Sequence, residues 1–234
     1  MEPPVLSIDR YRHNGELIAA IARLGYLRPE HHVLDPTHGK GVWWRTWRPE
    51  RLTAHDIDPA KAPDGPADFT ALPYADDTFD AVAFDPPYAL NGTPSVPSFD
   101  QRYGIATRTR WQDRMDLCRR GIVECARVLR PGGVLLVKGQ DQVVSGAVRW
   151  QTLDFANTGI AEGCALIDRL DYLSYRPQPP TRPCSPCGGL GVLGDLGRCG
   201  ACDGAGEVAT RQVHARRCSS TLLVFRKLVT PPDV

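Results

Sequence analysis

The chain has 234 residues, 42% hydrophobic and 24% charged, with a net charge of +1. That length suits one α/β domain with a full core and a small appendage, and the balanced charge excludes the strongly basic field that announces a polyanion partner. No run of about 18 apolar residues occurs and the opening MEPPVLSIDRYR has no apolar signal core, so neither a membrane span nor a secretory leader is expected, and the expected setting is the cytoplasm.

The first predicted element is a helix over 15–27, with Leu17, Ile18, Ile21 and Leu24 on one side. HHVLDP (31–36) is a short strand ending in the turn THGKG, where Gly39 and Gly41 let the backbone come close to a ligand. This loop lacks the third glycine of the dinucleotide fingerprint and the G-K-[ST] ending of a P-loop, which counts against both of those nucleotide readings. RLTAHDID (51–58) is a second strand, and Asp56 stands at its end, where an acid accepts hydrogen bonds from ribose hydroxyls. Asp68 and Phe69 follow at the end of a third strand or in the loop after it. There an acid can accept from an adenine amino group and an aromatic can cover the ring. Singly, each acid reads as a surface charge. In order, after Asp35 and Pro36 at the head of the loop, they outline an adenosine-bearing ligand.

FDAVAFD (79–85) reads as a buried strand, stopped by Asp85, Pro86, Pro87 and Tyr88 because proline cannot donate to a sheet ladder. In open α/β sheets, ligands bind at the carboxyl ends of the strands. The segment 89–111 has no period and holds Phe99, Tyr103 and several arginines. It is expected either to close over a substrate strand or to be a surface loop. Residues 111–129 form a long amphipathic helix stopped by RPGG, and VLLVKG (134–139) is the next strand, with Lys138 and Asp141 at its end as candidate substrate contacts. The arginines cluster at 102, 108, 110 and 114 and again at 211, 216 and 217, as phosphate-binding forks or as solvated faces.

Residues 165–176 and 220–228 read as a final pair of strands separated by a Pro-, Gly- and Cys-rich insertion. Strands alternating with helices imply a mostly parallel, doubly wound sheet covered on both faces, here with an antiparallel edge. The expected organisation is a core over 1–176, an insertion over 177–217, a returning core strand over 218–228 and a flexible tail over 229–234. Cys118, Cys125, Cys164 and Cys218 read as core or strand thiols. The insertion instead carries C-x-x-C-x-G-x-G twice, 15 residues apart, at Cys184, Cys187, Cys199 and Cys202. Two such knuckles supply four thiolates, which suit tetrahedral zinc. The metal is expected to staple the insertion, with Arg211, His214, Arg216 and Arg217 beside it if it also touches nucleic acid.

On Asp85-Pro86-Pro87-Tyr88, preceded by the glycine loop and the two acids, the chain resembles the Rossmann-like, S-adenosylmethionine-dependent methyltransferases of nucleic-acid base amino groups. Their catalytic motif, [DNS]-P-P-[YFW], is matched at every position. The glycine loop departs from the pattern at His38 and Lys40. The resemblance implies a class I methyltransferase fold, S-adenosylmethionine held by Asp35, Pro36, Gly39, Gly41, Asp56, Asp68 and Phe69, and catalysis by the Asp85–Tyr88 motif. It implies a nucleic-acid partner, DNA ahead of RNA and adenine N6 ahead of other amines, with an RNA base methyltransferase and a non-catalytic zinc-containing nucleic-acid-binding protein as alternatives. The cysteine repeats resemble those of DnaJ-type chaperones, which implies a zinc-held hairpin and no chaperone activity.

Overall fold

The computed structural model describes residues 4–90, 110–144, 146–173, 181–209 and 218–229. The chain divides into two units, Met1–Ser174 with Ser219–Val234, and Tyr175–Cys218.

In chain order the first unit contains β1 (Ile8–Asp9), α1 (Asn14–Arg23), β2 (His32–Asp35), β3 (Arg51–Ala54), β4 (Phe79–Phe84), α2 (Trp111–Val128), β5 (Leu129–Gly139), β6 (Gln142–Val144), β7 (Ala147–Arg149), α3 (Gln151–Ala161) and β8 (Cys164–Leu173). The second unit holds β9 (Thr181–Pro183) and β10 (Glu207–Ala209), after which β11 (Ser219–Lys227) returns to the first.

Alternation along the strands explains the layering. Val82, Phe84, Leu135, Val137, Leu223 and Phe225 join one apolar layer, while Ala81, Ala83, Val134, Leu136, Leu222 and Val224 join the other. Strands buried on both faces need cover on both. Helix α2 supplies it on the first face through Met115, Cys118, Ile122 and Cys125, and α1 on the second through Leu17, Ile18 and Ile21. Leu24, expected on the apolar side of α1, is exposed past the helix end, where Gly25 turns the chain at φ +80°.

The sheet has seven strands in the order β1-β8-β11-β5-β4-β2-β3. The pairs β2–β3, β2–β4, β4–β5 and β1–β8 are parallel, and β11 runs antiparallel between β5 and β8. From β2 the chain goes outward to β3 and returns on the other side to β4, so the topological switch point lies between β2 and β4. The expected third strand is reduced to one bridge, Asp56 to Pro66; Pro63 and Pro66 deny that edge its donors. Helix α2 comes close to the end of β4 because Gly121 has no side chain. A Cβ there would stand 2.5 Å from Phe84 Cζ.

In the second unit β9 and β10 pair antiparallel and the two knuckles repeat each other's bonds. Gly189 N–H donates to Cys184 O and Gly204 N–H to Cys199 O, while Cys184 N–H donates to Gly206 O and Cys199 N–H to Gly191 O. Among the described residues, no helix is long and apolar enough to cross a membrane.

Candidate active site

The turn after β2 is built around Asp35, which is 4% exposed. Its carboxylate accepts from Thr37 N–H at 3.0 Å and from Trp44 Nε1–H at 2.7 Å, and lies 3.3 Å from His38 Nδ1. With three neighbours on two oxygens, Asp35 organises the loop. Pro36 begins that turn, and Gly39 and Gly41 take left-handed φ values of +56° and +63°, where a side chain would be strained. Gly39 N–H donates to Asp56 Oδ2 at 2.9 Å, and Asp58 N–H to Asp56 Oδ1 at 2.9 Å. Asp56 thus ties the ends of β2 and β3 together, and each oxygen keeps a lone pair for a further donor.

After the glycines comes a single 3₁₀ turn, Val42–Trp44, in place of a full helix. It turns both indoles inward. Trp44 meets Asp35, and Trp43 Nε1–H donates to Asp85 Oδ2 at 2.8 Å. Asp85 N–H donates to Thr37 Oγ1 at 2.9 Å. The glycine loop and the Asp85–Tyr88 motif are therefore bonded to each other twice, across the switch point.

Enclosure by protein pushes the Asp85 carboxyl above its ordinary range; the Lys138 ammonium and the Trp43 N–H work against that shift, and Asp35 adds to it. Lys138, 3% exposed, donates to Asn14 Oδ1 at 2.7 Å and lies 5.6 Å from the Tyr88 ring centroid and 5.7 Å from that of Tyr172. Pro86 O accepts from Tyr88 N–H at 2.7 Å, which closes the proline turn. The Tyr88 carbonyl is clamped by Gln142 Nε2–H at 2.8 Å and Gln151 Nε2–H at 3.0 Å.

The remaining described sequence candidates also have partners within the protein. Asp68 is exposed and folds onto its own loop, accepting from Thr70 N–H and Oγ1–H at 2.8 Å each. The Phe69 ring stands edge-on to Phe84 at 5.1 Å and fills the space above Gly121, so it packs in the core layer. Asp141 caps α3 by accepting from Thr152 N–H and Oγ1–H at 2.9 Å each. Phe99, Tyr103, Arg102, Arg108, Arg211, His214, Arg216 and Arg217 lie outside the described residues. Reading the sequence alone missed Trp43, Asn14, Gln142, Gln151 and Ile57. Ile57 directly follows Asp56 and is 54% exposed, an apolar surface at the carboxyl edge of the sheet. The signals were a Trp-Trp pair just after the glycines and an apolar residue inside HDID.

In the second unit the four cysteine Sγ atoms lie within 4.8 Å of one another and all four residues are buried. Cys184 and Cys199 Sγ are 3.8 Å apart, and Cys187 and Cys202 Sγ 3.7 Å. A tetrahedron with metal–sulfur bonds of about 2.3 Å has an edge of about 3.8 Å, so the cluster fits a zinc ion. Gly191 N–H points at Cys187 Sγ (3.3 Å) and Gly206 N–H at Cys202 Sγ (3.2 Å), the donors that a thiolate needs.

No protein-family model and no curated protein sequence matches the chain. Solved structures do. A chain of the complex between the Haloferax volcanii Trm112 methyltransferase activator and a candidate methyltransferase is 16% identical with a TM-score of 0.53, covering 95% of this chain and 92% of that one. A candidate methyltransferase from Bacillus halodurans is 14% identical with a TM-score of 0.51, covering 91% and 99%. A candidate RNA methyltransferase from Pyrococcus horikoshii is 12% identical with a TM-score of 0.50, covering 97% and 91%. The strand order and these likenesses together establish a Rossmann-like class I methyltransferase fold.

Proposed function

We propose that the chain transfers a methyl group from S-adenosylmethionine to an exocyclic amino group of a nucleic-acid base, with adenine N6 in DNA as the favoured target. The observation that carries this reading is the placement of Asp85 at the switch point, one carboxylate oxygen fixed by Trp43 and its backbone bonded to the glycine loop. The residues also fit the cofactor. Asp56 retains acceptor capacity at the glycine turn, and Ile57 offers an exposed apolar face beside it.

Bound there, S-adenosylmethionine supplies an electrophilic sulfonium methyl. An exocyclic amine is a weak nucleophile because its lone pair is delocalised into the ring. Asp85 accepts one amine hydrogen and the Pro86 carbonyl, through its second lone pair, the other, which favours a pyramidal nitrogen. A carboxyl held above its ordinary range is also suited to take the proton that the amine loses. Tyr88, its carbonyl clamped by two glutamines, offers a ring on which a flipped-out base can stack. In the second unit, Cys184, Cys187, Cys199 and Cys202 would hold one structural zinc.

An RNA base amino-methyltransferase is the second reading, favoured by the likeness to the Pyrococcus horikoshii structure. Mass spectrometry of nucleosides from cells producing the protein separates the two. N6-methyladenine rising in DNA supports the first, a methylated amino group rising only in RNA the second, and no change in either removes both. For the cofactor, Asp56→Ala should weaken S-adenosylmethionine binding by about 1–3 kcal/mol, the scale of lost charged hydrogen bonds. Calorimetry giving an unchanged affinity would move the pocket elsewhere.

A further inference from the structure

Arg149 is the last residue of β7 and the cross-strand partner of Gln142. Directly paired residues share one face of a hairpin, and Gln142 is one of the two amides that hold the Tyr88 carbonyl. From the other direction, Trp111 opens α2, and Arg114 stands one turn further along the same helix face. Arg114 Nη1 lies 3.5 Å from the Pro87 carbonyl. These two approaches meet, since the Arg149 guanidinium carbon sits 4.0 Å from the Trp111 ring centroid. The stacked pair therefore flanks the Asp85–Tyr88 turn through its neighbours, Arg114 on α2 at Pro87 and Gln142 across the hairpin at Tyr88.

What sets Arg149 apart is its lack of compensation. Its neighbours among the arginines are paired, Arg110 with Asp113 and Arg119 with Asp154. Among the described residues no carboxylate pairs with Arg149, and its Nε is buried with no hydrogen-bond partner. Leaving a buried donor unsatisfied costs about 1–3 kcal/mol, more for a charged group. The indole face fixes the guanidinium plane, which lowers the entropy lost when its donors engage a ligand. Among the described residues this pre-oriented guanidinium beside the Asp85–Tyr88 turn has no carboxylate partner, and with its Nε enclosed it suits an anion at its terminal Nη donors.

We propose that Arg149, stacked on Trp111, binds a backbone phosphate of the substrate strand next to the target base. This rests on the reading of the chain as a nucleic-acid methyltransferase. A guanidinium in this position would hold the strand by one phosphate and read no sequence, so its removal should weaken all sequences alike.

The test uses the full-length protein, with mixed-sequence duplex DNA, single-stranded DNA and RNA as labelled probes at rising salt. Methyl transfer to whichever probe the wild type accepts is measured in parallel. Arg149→Met keeps an apolar stem on the indole and removes the charge. It should lower affinity for the accepted probe about tenfold and flatten the salt slope by about one phosphate contact. Arg149→Lys should keep the slope and recover part of the affinity. S-adenosylmethionine affinity should be unchanged in both. An Arg149→Met protein with wild-type slope and affinity overturns the inference while leaving the methyltransferase reading intact. Loss of cofactor binding together with strand binding would make Arg149 a purely structural residue and overturn it as well. A wild type that neither binds nor methylates any probe would remove the functional reading itself, and this inference with it.

Discussion

Asp85 sits where its ionised form is disfavoured. It is half-buried, and its carboxyl is raised above the ordinary value of 3.8 mainly by that desolvation. The folded chain therefore holds this proton more tightly than the unfolded chain. The resulting stabilisation is present below the unfolded value and is lost as pH rises through the raised one. Above that raised value the ionised group weighs against the fold. Asp85→Asn keeps an oxygen to accept the Trp43 N–H and removes the charge, so its melting temperature at pH 7 should equal or exceed that of the wild type. If the second lone pair of that oxygen accepts the amine hydrogen, the variant should retain more transfer than Asp85→Ala, and the acid limb of the rate profile should disappear. Melting curves and pH–rate profiles of the pair check this; an unchanged acid limb in Asp85→Asn would assign that limb to another group.

At the scale of elements, the knuckles show how glycine spacing becomes geometry. A Cβ at Gly191 would overlap the carbonyl oxygen of Gly204, and one at Gly206 that of Gly189. Both glycines also hold left-handed φ values, +77° and +74°. Gly191→Ala should cost about 1–3 kcal/mol in backbone strain alone and, with the clash, should lower bound metal measured by elemental analysis. Full metal content in that variant would show that the knuckles close without the close approach. This part was legible in the sequence because the repeat is contiguous and every member has one task. The glycine turn and the Asp85–Tyr88 motif were legible for the same reason, as short runs at strand ends. The supports behind them were not, since Asn14 reaches Lys138 across 124 residues and Gln151 reaches Tyr88 across 63. Helix α3 was missed because Gln151 and Thr152 are among its buried positions, which breaks the apolar period. That the half-buried Phe69 ring packs edge-on to Phe84 was not legible, because the slot it fills is opened by Gly121 on α2.

At the scale of the whole molecule, the two units differ in what stabilises them. The first has an apolar layer on each face of its sheet. In the second, the buried cluster consists of the four cysteines, with Leu193 and Val208 packed beside it, while Leu190 and Leu196 are 78% and 86% exposed. So small a core would leave a bound metal to supply most of that unit's folding free energy. Chelation or Cys199→Ser should abolish hydrogen-exchange protection in the second unit and leave that of the first, with S-adenosylmethionine affinity intact. Simultaneous loss in both units would contradict independent stabilisation.

In the function proposed above, Asp85 presents an acceptor to a base amine at this sheet edge. The most direct test of that role is the transfer of a tritiated methyl group from S-adenosylmethionine to duplex DNA, single-stranded DNA and total RNA, by the wild type and by Asp85→Ala. Label should appear in one of the nucleic acids with the wild type. The variant should be about 10²–10³-fold slower, the scale of losing one transition-state partner, with cofactor affinity unchanged. Equal rates for the two proteins, or no label in any nucleic acid from a wild type that binds the cofactor, would contradict that role.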